Sequence, residues 1–320
     1  GKIKLKSANE SLEFRVEVTT TAGGQEDAVL RVMANLKALP LDALGLSESC
    51  YLSFKELVKK PYGLILCVGP TGSGKTTTLH SFLGQINSPE RKIWTAEDPV
   101  EILQDGLRQV QINHRIGFSF GEALRSFLRA DPDVIMIGEM RDPETANIAI
   151  EASLTGHLVM STLHTNSAVE TVNRLLQIGL DPVLLADSLL GIIAQRLVLK
   201  LCENCKESYH PDRAYYDRLI QSYGKELAEC DQLLSYSKNL QLKRKRGCDK
   251  CNHSGYIGRV GIYELLQGTD NIRQAIVEKK SIAEIRRLAV EDGLRAMKMD
   301  GIQKVFQGIT DYEQILKVCY

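Results

Sequence analysis

Residues 1–20 alternate in character: Ile3 and Leu5, then Leu12, Phe14, Val16 and Val18, with polar residues between them. A period of two is that of half-buried strands. Gly23-Gly24 marks a turn, and 28–36 is apolar with Arg31 set in it. A short helix is expected over 53–60. From 61 to 195 the pattern switches repeatedly between strand and helix. Strands are predicted at 63–68, 91–96, 134–137 and 158–162, and helices from Thr77 to Leu83, over 120–129, over 143–154 with Pro143 in its first turn, and near 168–178. Such alternation implies a mostly parallel sheet with helices on both faces. After a polar stretch, Ile272, Ala275 and Ile276, then Ile282, Ile285, Leu288 and Ala289, recur at helical spacing. These shifts divide the chain into a partial N-terminal domain at 1–50, a core at 51–195, a cysteine-bearing element at 196–258 and a helical region at 259–320.

One stretch carries phosphate chemistry. Gly69-Pro70-Thr71-Gly72-Ser73-Gly74-Lys75-Thr76, continued by Thr77, satisfies G-x-x-x-x-G-K-[ST] between an apolar strand and a helix. The glycines let backbone N–H groups turn inward around phosphates, and the helix N-terminus adds partial positive charge. Lys75 would reach the β- and γ-phosphates of ATP, and Thr76 would bind Mg²⁺.

Carboxylates follow two of the expected strands. Asp133-Val134-Ile135-Met136-Ile137-Gly138-Glu139 ends in an acid suited to Mg²⁺ and to the attacking water. Glu97, Asp98 and Glu101 cluster after another, where they could hold a metal-bound water or act as general base. His157 and His164 bracket the 158–162 strand; a histidine at a strand's C-terminal end can sense the γ-phosphate.

Composition narrows the class without choosing a partner. The 320 residues are 43% hydrophobic and 25% charged, with 40 basic and 40 acidic side chains. This is globular composition, and neutrality gives no hint of a nucleic-acid partner. The most apolar region, 184–201, is interrupted by Asp187, Arg196 and Lys200, so it is too broken for a membrane span. Gly1 rather than Met at the start is consistent with a fragment. Of eight cysteines, Cys202, Cys205, Cys248 and Cys251 form two C-x-x-C pairs, a donor set for tetrahedral Zn²⁺ with no open position and hence structural. A disulfide is the alternative. The run Lys243-Arg244-Lys245-Arg246 is a solvated surface or, beside a membrane, a contact for anionic lipid.

In order, the glycine loop, Glu97 to Glu101, Asp131 to Asp142 and Gly156 to Ala168 resemble the Walker A, Asp, Walker B and His boxes of the bacterial type II/IV secretion ATPases. The four cysteines make the chain similar to the type II secretion and type IV pilus assembly members rather than to retraction ATPases. The resemblance implies an α/β fold: a RecA-like P-loop core with a partial N-terminal α+β domain and a zinc-bearing, helical C-terminal region. It implies ATP hydrolysis by a homo-hexamer that drives pseudopilus or pilus assembly and protein export. The place implied is the cytoplasmic side of the inner membrane, against secretion or pilus platform proteins whose docking domain would precede this chain. It also assigns functional arginines, by local pattern, to Arg15, Arg31, Arg125 and Arg129. The last two are spaced i, i+4 and would share a helix face. An arginine reaching the γ-phosphate from a neighbouring subunit would make hydrolysis depend on assembly. The rival functions are a DNA-translocating conjugation-type ATPase and a zinc-ribbon nucleic-acid module with a regulatory P-loop. The neutral charge and the four cysteines disfavour the first.

Overall fold

In the computed structural model the described residues are 1–6, 11–33, 37–229, 231–237 and 239–319. The chain opens with an antiparallel sheet of β1 (Lys2–Lys6), β2 (Ser11–Thr20) and β3 (Glu26–Met33). The end of the apolar stretch expected to reach Leu36 lies outside the described residues. A helical turn at Leu41–Leu44 leads to α1 (Glu48–Leu57). That helix starts five residues before the expected 53, because Ser47 caps it by accepting from the Cys50 N–H.

The core then runs β4 (Gly63–Val68), α2 (Lys75–Ile86), β5 (Ile93–Glu97), β6 (Arg108–Gln111), α3 (Phe120–Phe127), β7 (Val134–Ile137), α4 (Pro143–Leu154), β8 (Leu158–Leu163), α5 (Ala168–Gln177), α6 (Pro182–Ser188) and β9 (Leu189–Leu201). After β9 come the antiparallel pair β10 (Glu207–Tyr209) and β11 (Leu242–Arg244), with α7 (Arg213–Tyr223) and α8 (Lys225–Glu229) between them. The strand β12 (Tyr256–Gln267) precedes α9 (Asp270–Val277), α10 (Ile282–Glu291), α11 (Met297–Phe306) and α12 (Tyr312–Val318).

Seven strands form the main sheet in the order β12-β9-β4-β8-β7-β5-β6, parallel from β9 onward, with β12 antiparallel on its edge. β4, β7 and β8 are buried along their whole length, as strands covered on both faces must be. Alternate residues of β4 serve opposite cores: Leu64, Leu66 and Val68 pack on the face of α4, α5 and α6, and Ile65 and Cys67 on the face of α1 and α2. The tilted Phe54–Phe82 ring pair, centroids 5.0 Å apart, fixes α1 on α2.

The boundaries expected at 195/196 and 258/259 fall inside β9 and β12. The two strands pair from Gly191 to Leu201, so the cysteine-bearing element is an insertion at the end of a ribbon that belongs to the core sheet. In the insertion Tyr216, Leu219 and Leu242 pack on Met299, Ile302 and Phe306 of α11. Among the described residues, no helix is long and apolar enough to cross a membrane.

Candidate active site and thiol cluster

The loop after β4 has the backbone its glycines require. Gly72 and Gly74 sit at φ 79° and 89°, and Gly74 caps α2. A Cβ on Gly69 would lie 2.6 Å from the Ser73 Oγ, so the loop closes on itself only with glycine there. The Lys75 ammonium is buried and donates to the carbonyls of Gly69 at 2.8 Å and Pro70 at 3.1 Å. Burial holds it below the usual lysine range. The Ser73 Oγ is buried without a partner among the described residues. An orphaned hydroxyl inside a ring of inward-turned backbone is what a bound phosphate would satisfy. Thr76 and Thr77, on the first turn of α2, line the cavity beside it. Gln195 of β9, itself buried, donates from Nε2 to the Ser73 carbonyl at 2.6 Å and accepts from the Cys67 thiol at 3.1 Å.

Parallel pairing sets the C-terminal ends of β4, β8, β7 and β5 side by side, and the chemistry collects there. Gly138 follows β7, and a Cβ on it would stand 3.2 Å from the Ala96 carbonyl, so a glycine lets the strand end press against β5. Its carbonyl accepts from the Thr162 hydroxyl at 2.7 Å, and the Met140 N–H bonds the Thr162 carbonyl at 3.0 Å. Glu139 is thereby aimed over the end of β8. It meets the His164 Nε2 at 3.2 Å and the Arg141 guanidinium at 2.6 Å. That hydrogen bond raises the Arg141 guanidinium above its ordinary value. On β12, the buried Glu264 accepts from the N–H of Ala168 at 2.9 Å and so pins the start of α5, just past His164.

Glu97 closes β5 and is buried. It accepts from the Thr95 hydroxyl at 2.7 Å and the Gln109 amide at 3.1 Å, and its other oxygen lies 3.1 Å from the His80 Nε2. Burial pushes its carboxyl up, but the hydrogen bond and charge of His80, with the Thr95 and Gln109 bonds, outweigh this and leave it below the usual range. Glu101 is exposed on the cavity rim, and Asp98 pairs with His114 at 3.0 Å.

A cavity of about 620 Å³ joins these groups. Arg15 and Arg31 line it too, brought to the glycine loop of their own chain by a cross-strand pairing of β2 with β3 in which they stand directly opposite. His157 is elsewhere. It precedes β8 and so sits at the opposite edge of the sheet, its Nδ1 2.9 Å from the Ala152 carbonyl; it cannot serve as a γ-phosphate sensor. Arg125 is exposed and held by Glu122 at 3.0 Å and Glu144 at 2.5 Å, outside the cavity lining. Arg129 does not share its helix, because α3 stops at Phe127. Sequence reasoning missed Gln195, Arg141 and His80. A lone glutamine within the apolar run 189–201 was the available signal for the first.

The sulfur atoms of Cys202, Cys205, Cys248 and Cys251 all lie within 4.8 Å of one another, with neighbouring pairs at 3.8–3.9 Å. Tetrahedral Zn–S bonds of about 2.3 Å place sulfurs about 3.8 Å apart. Backbone N–H groups point at these sulfurs, from Gly247 to Cys205 at 3.3 Å and from Gly255 to Cys251 at 3.2 Å, as thiolates require. The Asn204 amide helps hold the Cys248 thiol down to about 6, whereas burial pushes Cys205 up to about 11. The four are free thiols, so the donor set fits a closed metal site and not a disulfide.

A family model described as "Type II/IV secretion system protein" matches residues 1–317. The chain belongs to that family. Among its relatives, the type II secretion system ATPase E of Vibrio cholerae is 44% identical over 99% of this chain and 60% of its own length. The type IV pilus assembly ATPase PilB of Thermus thermophilus is 41% identical over 99% of this chain and 34% of its own. The chain thus spans less than two-thirds of the length of either relative. Among solved structures, the pilus retraction motor PilT with bound ADP superposes with a TM-score of 0.69 at 29% identity, over 99% of this chain and 77% of that one. The mixed α/β fold with its parallel sheet is therefore common to this secretion family and to PilT.

Proposed function

We propose that the chain is the motor part of a secretion-system ATPase that hydrolyses ATP to drive pseudopilus or pilus assembly and protein export. The observation that carries this reading is the convergence of the Lys75 loop, Glu139, His164 and Glu97 on one cavity at the C-terminal edge of the sheet. The glycine loop and Lys75 hold the phosphates. Thr76 and Glu139 hold Mg²⁺, which neutralises charge on the phosphates. Glu139 also takes the proton of the attacking water, and His164 fixes its carboxylate and reads the γ-phosphate. Arg15 and Arg31 bring positive charge to the phosphates from the N-terminal sheet. Zn²⁺ on the four thiolates ties the insertion down, since metal binding contributes directly to folding. In this reading, which relatives named for type II secretion and pilus assembly prompt, the chain works as a homo-hexamer docked on inner-membrane platform proteins at the cytoplasmic face, with Lys243 to Arg246 available to anionic lipid. No nucleic acid is required.

The test is ATP turnover by the wild-type chain and by Lys75→Ala, with anionic vesicles or duplex DNA added, and the assembly mass read in parallel. Turnover that vanishes in the variant and rises with vesicles supports the motor reading. Stimulation by DNA alone would replace it with a DNA translocase.

A further inference from the structure

His80 lies on α2, five residues beyond Lys75, and its side chain is fully buried against Glu97. The polarity of its surroundings can be worked out from backbone groups, which cannot exchange donor for acceptor. The Gln104 Nε2 donates to the His80 carbonyl at 3.2 Å, so the Gln104 Oε1 is the atom 2.7 Å from the His80 Nδ1. That nitrogen must therefore carry a proton. The Gln109 Nε2 donates to the Ile102 carbonyl at 2.7 Å, and its Oε1 accepts from the Gln104 N–H at 2.9 Å. Gln109 is thus also fixed, and presents its amide N–H to Glu97. What remains is the 3.1 Å contact between the His80 Nε2 and a Glu97 oxygen. With Nδ1 already protonated, a neutral ring would oppose a lone pair to a carboxylate in a dry site, at the cost of an unmade buried hydrogen bond.

We propose that His80 and Glu97 form a pair that shares one proton across their contact, so that His80 is a positioning residue that cancels the Glu97 charge beside the nucleotide. The pair then carries no net charge whichever atom holds the proton. Thr95, Gln104 and Gln109, the other hydrogen-bonding partners, do not titrate. One Glu97 oxygen is taken up by His80 and the other by Thr95 and Gln109, so the base is left to Glu139. In this respect the inference rests on the ATPase reading; the protonation state does not.

The wild-type protein without nucleotide tests the state directly by ¹⁵N NMR of the His80 ring and ¹³C NMR of the Glu97 carboxyl. The expected result is a protonated Nδ1, with the second proton either on Nε2 or on Glu97. A ring protonated on Nε2 alone, or a neutral Nδ1–H ring beside an ionised Glu97, overturns the proposal. The functional arm is His80→Gln, which keeps an N–H toward Glu97 but no proton to give. It should raise KM for MgATP roughly tenfold, the order expected for one uncompensated like charge in a partly screened site. Adding Glu97→Gln to His80→Gln restores neutrality and should recover most of that loss. An unchanged KM in the single variant, or no recovery in the double variant, counts against charge cancellation. Absence of turnover in the wild type would sink the ATPase reading and leave the ring result standing.

Discussion

Replacing Gln195 with methionine tests whether the glycine loop is held from outside. Methionine keeps the volume and removes both polar atoms. In the native chain the Gln195 amide supplies a 2.6 Å bond to the Ser73 carbonyl from a residue that is 1% exposed. Loss of the donor leaves a buried carbonyl unsatisfied, at about 1–3 kcal/mol. The Cys67 thiol also loses its acceptor. The same peptide unit supplies the Gly74 N–H, so the loop can relieve the orphaned carbonyl only by turning that N–H away from the phosphates. The cost should thus appear as weaker nucleotide binding, about 5- to 150-fold for that energy range. The assay is calorimetric titration with a non-hydrolysable ATP analogue, with urea unfolding to verify that the slope of the transition is unchanged. An affinity within twofold of wild type would refute the idea that Gln195 holds the loop in shape.

Three further outcomes follow from the same geometry. Glu139→Gln should retain analogue binding and slow hydrolysis roughly 10²-fold, measured by phosphate release, because an amide beside His164 cannot take the proton of the attacking water. Cys248→Ser should lower bound zinc in elemental analysis and speed proteolysis within 206–247, while analogue affinity is retained because the glycine loop is built without the insertion. Titrating Lys75→Ala chains against Arg31→Ala chains at fixed total protein should give no recovery of activity, since both groups line one chain's cavity; recovery in confirmed hybrids would show that Arg31 serves a neighbour.

What could be read beforehand followed physical periodicity. β7 and α4 begin and end where the apolar run and the Asp142–Pro143 start signal place them. The glycine loop and the four cysteines were legible because their chemistry dictates spacing as well as residue type. β9 was not legible as a strand. It is buried over most of its length, so its 13 residues lack the alternation that marks a half-exposed strand. His157 was misplaced although chain order could have placed it: it precedes the 158–162 strand, and in a parallel sheet a residue before a strand lies at the edge opposite the C-terminal ends. The i, i+4 reading of Arg125 and Arg129 failed because the end of α3 fell two residues short of Arg129. His80 gave no signal, since its role depends on Gln104 and Glu97, which reach it only through the fold.

The strand that grips the glycine loop also delivers the first thiol. From Gln195, β9 runs straight to Leu201, about 20 Å, and Cys202 is the next residue. β12 backs it along that length and returns from the far side of the thiol cluster, with Tyr256 opposite Leu201. Apart from a bulge between Tyr256 and Arg259 at the thiol end, the pairing of this ribbon is unbroken. A tilt of the loop end by about 10° would sweep the thiol end through roughly 3–4 Å, so the insertion is geared to the nucleotide cavity as the tip of a lever rather than hung beside it.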